Sequence, residues 1–113
     1  MSGGEWWQGI AGSVTVCDVD GIIVAMNDAS AATFARDGGR ALIGRSLLDC
    51  HPGASRDKVA ALLAEQRANS YITEKAGRCR FVHQAPWYRD GRFAGLVEII
   101  VDIPAGLPHH KRD

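Results

Sequence analysis

Cys50 and His51 stand side by side, with Asp49 before them and Pro52 after. A neutral imidazole or a thiolate can bind a metal ion. Zinc, however, is held by three or four converging ligands, and no partner cluster at ligand spacing accompanies the pair. His51 reads equally well as part of a turn with Pro52, bonded to backbone or solvent. His83 lies between Phe81 and Ala85 in strand-like sequence. It reads as a satisfied polar residue on a core face or as a hydrogen-bond donor to a ligand. His109 and His110 adjoin in a polar tail, and Cys17 and Cys79 fall in stretches where packing is the simpler role. Nucleophilic catalysis needs a Ser or Cys, a base and an orienting group converging in space. No such pattern is recognisable, and Gly38-Gly39 ends a helix rather than opening one around a phosphate. The chain reads as no enzyme.

Composition sets the class. The 113 residues match a common domain size and can bury roughly two-thirds of their unfolded surface. Thirteen basic and thirteen acidic residues cancel, so no overall field attracts nucleic acid or an anionic membrane, and near-neutrality eases self-association. No apolar run approaches the roughly 20 residues that span a bilayer. The start, Met1-Ser-Gly-Gly-Glu-Trp-Trp, lacks the basic and apolar blocks of a signal peptide. Three widely spaced cysteines fit the reduced thiols of a cytosol better than a disulfide framework. The expected location is cytoplasmic.

Two Asp-Gly pairs, Asp20-Gly21 and Asp90-Gly91, each enter an apolar stretch. Asp-Gly suits type I′ hairpin turns, which need positive φ at both central residues. Residues 13–18 and 22–26 read as the first two strands. Asn27 or Asp28 caps an alanine-rich helix ending at Gly38-Gly39. A short helical piece covers about 40–48, and Ser55 caps a helix over 56–68 with Val59, Leu62, Leu63 and Gln66 at helical spacing. Three strands follow, at about 70–75, 78–88 and 93–103. In the last, Phe93, Val97, Ile99, Val101 and Ile103 alternate with Leu96, Glu98, Ile100 and Asp102. The first set reads as the core face. Leu96 and Ile100, beside two carboxylates on the other face, read as dimer contacts. Trp6, Trp7 and Ile10 on a leading helix read as a flap over the sheet or as a further dimer contact.

The order Asp18-x-Asp20-Gly21-x-Ile23, Asn27, Ala29, Phe34, Ile43-Gly44, then Gly91-x-Phe93-x-Gly95-x-Val97-Glu98 resembles the PAS domain over residues 13–104. Asp49-Cys50-His51-Pro52 with Ser55 and Val59 is similar to the PAS variant often joined to hemerythrin-like domains in bacteria and archaea. The resemblance implies an α+β PAS fold, a five-stranded antiparallel sheet with helices packed on one face. Residues 1–12 would then form a flap or short helix, and residues 105–113 a polar tail.

It also implies a sensor that encloses a small molecule, or an interaction module with a filled core and no ligand. Candidate lining residues are Phe34, Ile43, Leu47, His51, Val59, Leu63, Tyr71, Arg80, His83, Val97 and Ile99, with Val16 and Ile23 beside them. Tyr71, Arg80, His83 and Gln84 would set specificity, Arg80 by pairing with an acidic ligand. Heme is one candidate cofactor, with His51 as the iron ligand. Flavin is disfavoured. Gly77-Arg78-Cys79 echoes the flavin-binding cysteine motif but follows the long helix, whereas the equivalent segment Gly44-Arg45-Ser46-Leu47-Leu48 has no cysteine. Expected partners are a second copy in a homodimer and a separate signalling protein or output domain, the chain itself being a whole protein or one domain of a longer one. No nucleic acid or membrane partner is expected.

Overall fold

The computed structural model describes residues 5–50 and 53–113. A short helix α1 (Glu5–Gly9) leads into β1 (Ser13–Cys17) and β2 (Ile23–Met26). Helix α2 (Asp28–Thr33) runs into 3₁₀ turns at Ala35–Asp37 and Gly39–Leu42. Helices α3 (Leu47–Cys50) and α4 (Gly53–Glu65) precede β3 (Asn69–Lys75), β4 (Arg78–Arg89) and β5 (Arg92–Ile103). The strands form one antiparallel sheet in the order β2-β1-β5-β4-β3. The architecture is α+β, and no described helix is long and apolar enough to cross a membrane.

The turns divide by chemistry. Asp90 and Gly91 both have positive φ, 51° and 78°, as a type I′ turn requires. The first Asp-Gly pair is built differently: Gly21 has φ 80°, but Asp20 does not join it in the positive region. There the Asp18 carboxylate accepts from the Asp20 and Ile22 amides at 2.9 and 3.0 Å, and Gly21 N–H donates to Asp18 O at 3.0 Å. The aspartate that shapes this loop is thus Asp18. A further two-residue turn joins β3 to β4 at Ala76-Gly77, with φ values of 53° and 76°. Alanine in the left-handed region costs about 1 kcal/mol. Ala76→Asn is therefore expected to raise stability by about 0.5–1 kcal/mol, read as a higher urea midpoint with an unchanged slope.

Asn27 is the expected cap, its side chain accepting from Ser30 N–H. Helix α4 starts at Gly53, two residues before Ser55. It stops at Glu65 because Gln66 turns left-handed, with φ 53°. Only Val59 and Leu62 of α4 are buried. Leu62 packs with Cys17 and Leu96, while Ile23, Met26 and Leu42 form a second cluster, and Leu47 packs against both.

The sheet is turned opposite to the expectation from its apolar pattern. Strand β1 buries Ser13, Thr15 and Cys17, leaving Val14 and Val16 half-buried on the other side. Register carries that phase across the sheet: Thr15 pairs with Glu98, and Glu98 with Gln84. Leu96 is 5% exposed and packed on Leu62, so it is a core residue and no dimer contact. Ile100 faces the same interior. Ile99 and Val101, expected inside, are 37% and 36% exposed on the outward face with Phe81. The wrong face was read because the outward one is the more apolar. The alternation also breaks within β5, where Trp87 opposes Gly95 and Tyr88 opposes Phe93, leaving Ala94 as an extra residue.

Candidate functional site

Between the inner sheet face and the helices lies a cavity of about 570 Å³. Its apolar lining includes Ile23, Met26, Phe34, Leu47, Leu62 and Val82. This is within the ordinary range for small-molecule sites, about 300–1,000 Å³. The inner face supplies a row of polar side chains. Asn69 Nδ2 donates to Gln84 Oε1 at 3.1 Å, and Gln84 Nε2 donates to Glu98 Oε2 at 2.9 Å. Because an ionised carboxylate only accepts, the Gln84 amide must turn its NH₂ toward Glu98 and its oxygen toward Asn69. Thr15 stands opposite Glu98 on β1, and its hydroxyl shares a hydrogen bond with the Ser30 hydroxyl, at 2.5 Å.

Tyr71 and Arg80 enter from β3 and β4. Burial, with a further contribution from the Glu98 charge, pushes the Tyr71 phenol above its ordinary pKa. Arg80 Nε lies 3.3 Å from Asp102 Oδ1, and Arg78 meets the other carboxylate oxygen at 2.7 Å. The Arg78 hydrogen bond holds the Asp102 carboxyl below the usual carboxylate range. Asp37, Arg45 and Asp49 are exposed residues of the lining. Burial raises the Cys17 thiol above its ordinary value and keeps it neutral in the core.

The lining thus gathers Phe34, Leu47, Val59, Tyr71, Arg80 and Val97. It also takes in Leu96, Glu98 and Ile100, which sequence reasoning had put outside. Ile43 is 41% exposed and does not reach the cavity. Leu63 packs on the Cys17–Leu62–Leu96 cluster instead. His83 stands on the outward face, its Nδ1 2.7 Å from the Ser70 hydroxyl and its ring stacked on Phe81 at 6.0 Å. Ile99 shares that face, being paired with His83. His51 lies outside the described residues, as does Pro52, and no described residue lining the cavity is a histidine or cysteine. Among the described residues no three His, Cys, Asp or Glu side chains gather as a metal site. Trp6 is 71% exposed, Trp7 half-buried and Ile10 exposed, and α1 packs against α2. Glu98 was missed as a cavity residue because period-two reading gives the more apolar side of β5 to the core, and only cross-strand register with Thr15 and Gln84 shows that Glu98 faces inward.

Solved structures share this architecture. A C-terminal domain from Streptococcus mutans aligns with TM-score 0.67 and 24% identity, over 84% of this chain and 78% of its own. The PAS domain of BvgS from Bordetella pertussis aligns with TM-score 0.63 and 21% identity, over 88% and 82%. The Aer2 receptor from Vibrio cholerae, described as a dual PAS-heme oxygen sensor, aligns with TM-score 0.63 and 14% identity, over 87% and 99%. No functionally curated protein matches the sequence. The family model described as PAS fold matches residues 7–105, nearly the whole chain and all five strands. The chain belongs to the PAS fold family.

Proposed function

We propose that this PAS domain is a signal-transduction sensor that receives a small molecule in the cavity under its sheet and pairs with a second copy through the outward sheet face. The observation that carries the reading is the orientation of the sheet. Its hydrogen-bonded row of Asn69, Gln84 and Glu98 lies on the inner face, with Gln84 and Glu98 lining the cavity of about 570 Å³. Its apolar row of Ile72, Phe81, Ile99 and Val101 is left to solvent. A core built only for packing would place these rows the other way round, since interiors fill with apolar side chains and leave few voids. An apolar cavity with a few convergent polar groups is suited to a ligand, and an apolar outer face is suited to a partner. Zero net charge removes the repulsion that would keep two copies apart. Signalling follows if the ligand favours one of two arrangements of the pair or of a linked output domain; equal affinity for both would shift nothing.

The rival reading, an interaction module without a ligand, fits the outer face and leaves the cavity unexplained. Native mass spectrometry of freshly purified protein should find a dimer retaining a non-protein mass. Phe81→Asp should leave the melting temperature within a few degrees and give a monomer. A wild-type monomer without bound mass would overturn both halves of the proposal.

A further inference from the structure

We infer that the cavity selects a ligand carrying a protonated nitrogen, an amine or amidine on a mainly apolar body, and seats that nitrogen on Glu98. The inference deepens the sensor reading and rests on it. Glu98 is half-buried on the inner face, and its Oε2 is held by Gln84 at 2.9 Å. Its cross-strand neighbour Thr15 pairs its hydroxyl with Ser30 and makes no hydrogen bond to Glu98 among the described contacts. Neither arginine of the lining forms an ion pair with it: Arg80 meets Asp102 through its Nε at 3.3 Å, and Arg45 is an exposed residue. Tyr71 adds no charge while its phenol stays protonated. Of the acids in the described lining, Asp37 and Asp49 are exposed, and Glu98 is the one carried by the sheet.

The half-buried Glu98 carboxylate accepts one hydrogen bond, from Gln84, and forms no ion pair among the described residues. A neutral donor would satisfy a lone pair but leave the charge, whereas a cation supplies both the hydrogen bond and the opposite charge. Around it Met26, Phe34, Leu62, Val82 and Ile100 offer apolar contact, which fixes the rest of the ligand as hydrocarbon or aromatic. The same geometry argues against the acidic ligand expected from Arg80, since Arg80 already meets Asp102 through its Nε and an incoming carboxylate would face Glu98.

Three matched probes test this on the intact chain: phenethylamine, 2-phenylethanol and 3-phenylpropionate, titrated against ¹⁵N-labelled protein. Phenethylamine should move the amides of Val82, Glu98 and Ile100 and bind at least tenfold tighter than the alcohol, with the acid weakest. Glu98→Gln keeps the Gln84 hydrogen bond and should abolish that tenfold preference while its melting temperature stays near wild type. Alcohol or acid binding as tightly as the amine would overturn the inference and leave the ligand cavity standing. Silence from all three at millimolar concentration would overturn the cavity reading, and the inference with it. Because the probe ranking is read on the wild-type chain, it decides the matter even if Glu98→Gln fails to fold.

Discussion

Gly95→Ala should abolish stable folding. Gly95 has φ 141°, a backbone conformation that side chains rarely adopt. A Cβ there would stand 1.9 Å from the Cys17 carbonyl oxygen, and 2.8 Å from the Cys17 and Asp18 carbonyl carbons. These are backbone atoms, so no rotamer change relieves the collision. The Cys17 carbonyl is also held in place, because Trp87 reaches across Gly95 and donates its indole N–H to it at 3.0 Å. Moving the carbonyl away would break that bond and disturb Cys17, which packs on Leu62 and Leu96. Strain, overpacking and a lost hydrogen bond together predict a loss of about 4 kcal/mol or more. Since domains of this kind are stable by about 5–15 kcal/mol, the variant should be unfolded or close to it. Circular dichroism melts check this directly. A Gly95→Ala protein melting within a few degrees of wild type would show that the approach of β1 to β5 is looser than described.

The second large effect is expected at Asn27, which is fully buried and uses both ends of its amide twice. Oδ1 accepts from the Val14 and Ser30 amides, each at 2.9 Å. Nδ2 donates to the Trp7 and Gly12 carbonyls at 2.9 and 2.8 Å. One side chain thereby joins α1, the start of β1 and the first turn of α2. Asn27→Ala removes the cap and strands four backbone groups, at a cost of about 3 kcal/mol or more. Asn27→Asp separates the contributions. It keeps both acceptor bonds but turns an oxygen toward two carbonyls, so the damage should fall on α1. Hydrogen exchange should then show α1 losing protection in Asn27→Asp, and α1 and α2 together in Asn27→Ala. Equal protection of α1 in wild type and Asn27→Asp would refute the tether.

What the sequence made legible was the punctuation. The hairpin at Asp90-Gly91, the cap at Asn27 and the five strands depend on local chemistry and stand where that chemistry puts them. The facing of the sheet was not legible, for a physical reason. Period-two reading assigns the more apolar side to the core, and here Val14, Ile99 and Val101 are on the outward side. Ser13, Thr15, Gln84 and Glu98 turn inward instead. That inversion is what the proposed ligand cavity and interface would together produce, so the error fell on the residues to which the proposal assigns function. Helix α4 ended early for a smaller reason: nothing in its apolar spacing announces that Gln66 turns left-handed.

The sheet order has a consequence for how the chain is made. Strand β1 has β2 on one side, available at once through a short loop, and β5 on the other, nearly the whole chain away; Val14 waits for Ile99. Until β5 emerges from the ribosome, β1 keeps a row of unpaired amides and carbonyls exposed. Closing that seam must come after most of the chain has lost its freedom, which slows folding and lengthens exposure to aggregation. Truncations within β5 should therefore fail as a unit, leaving an early hairpin with no sheet to join.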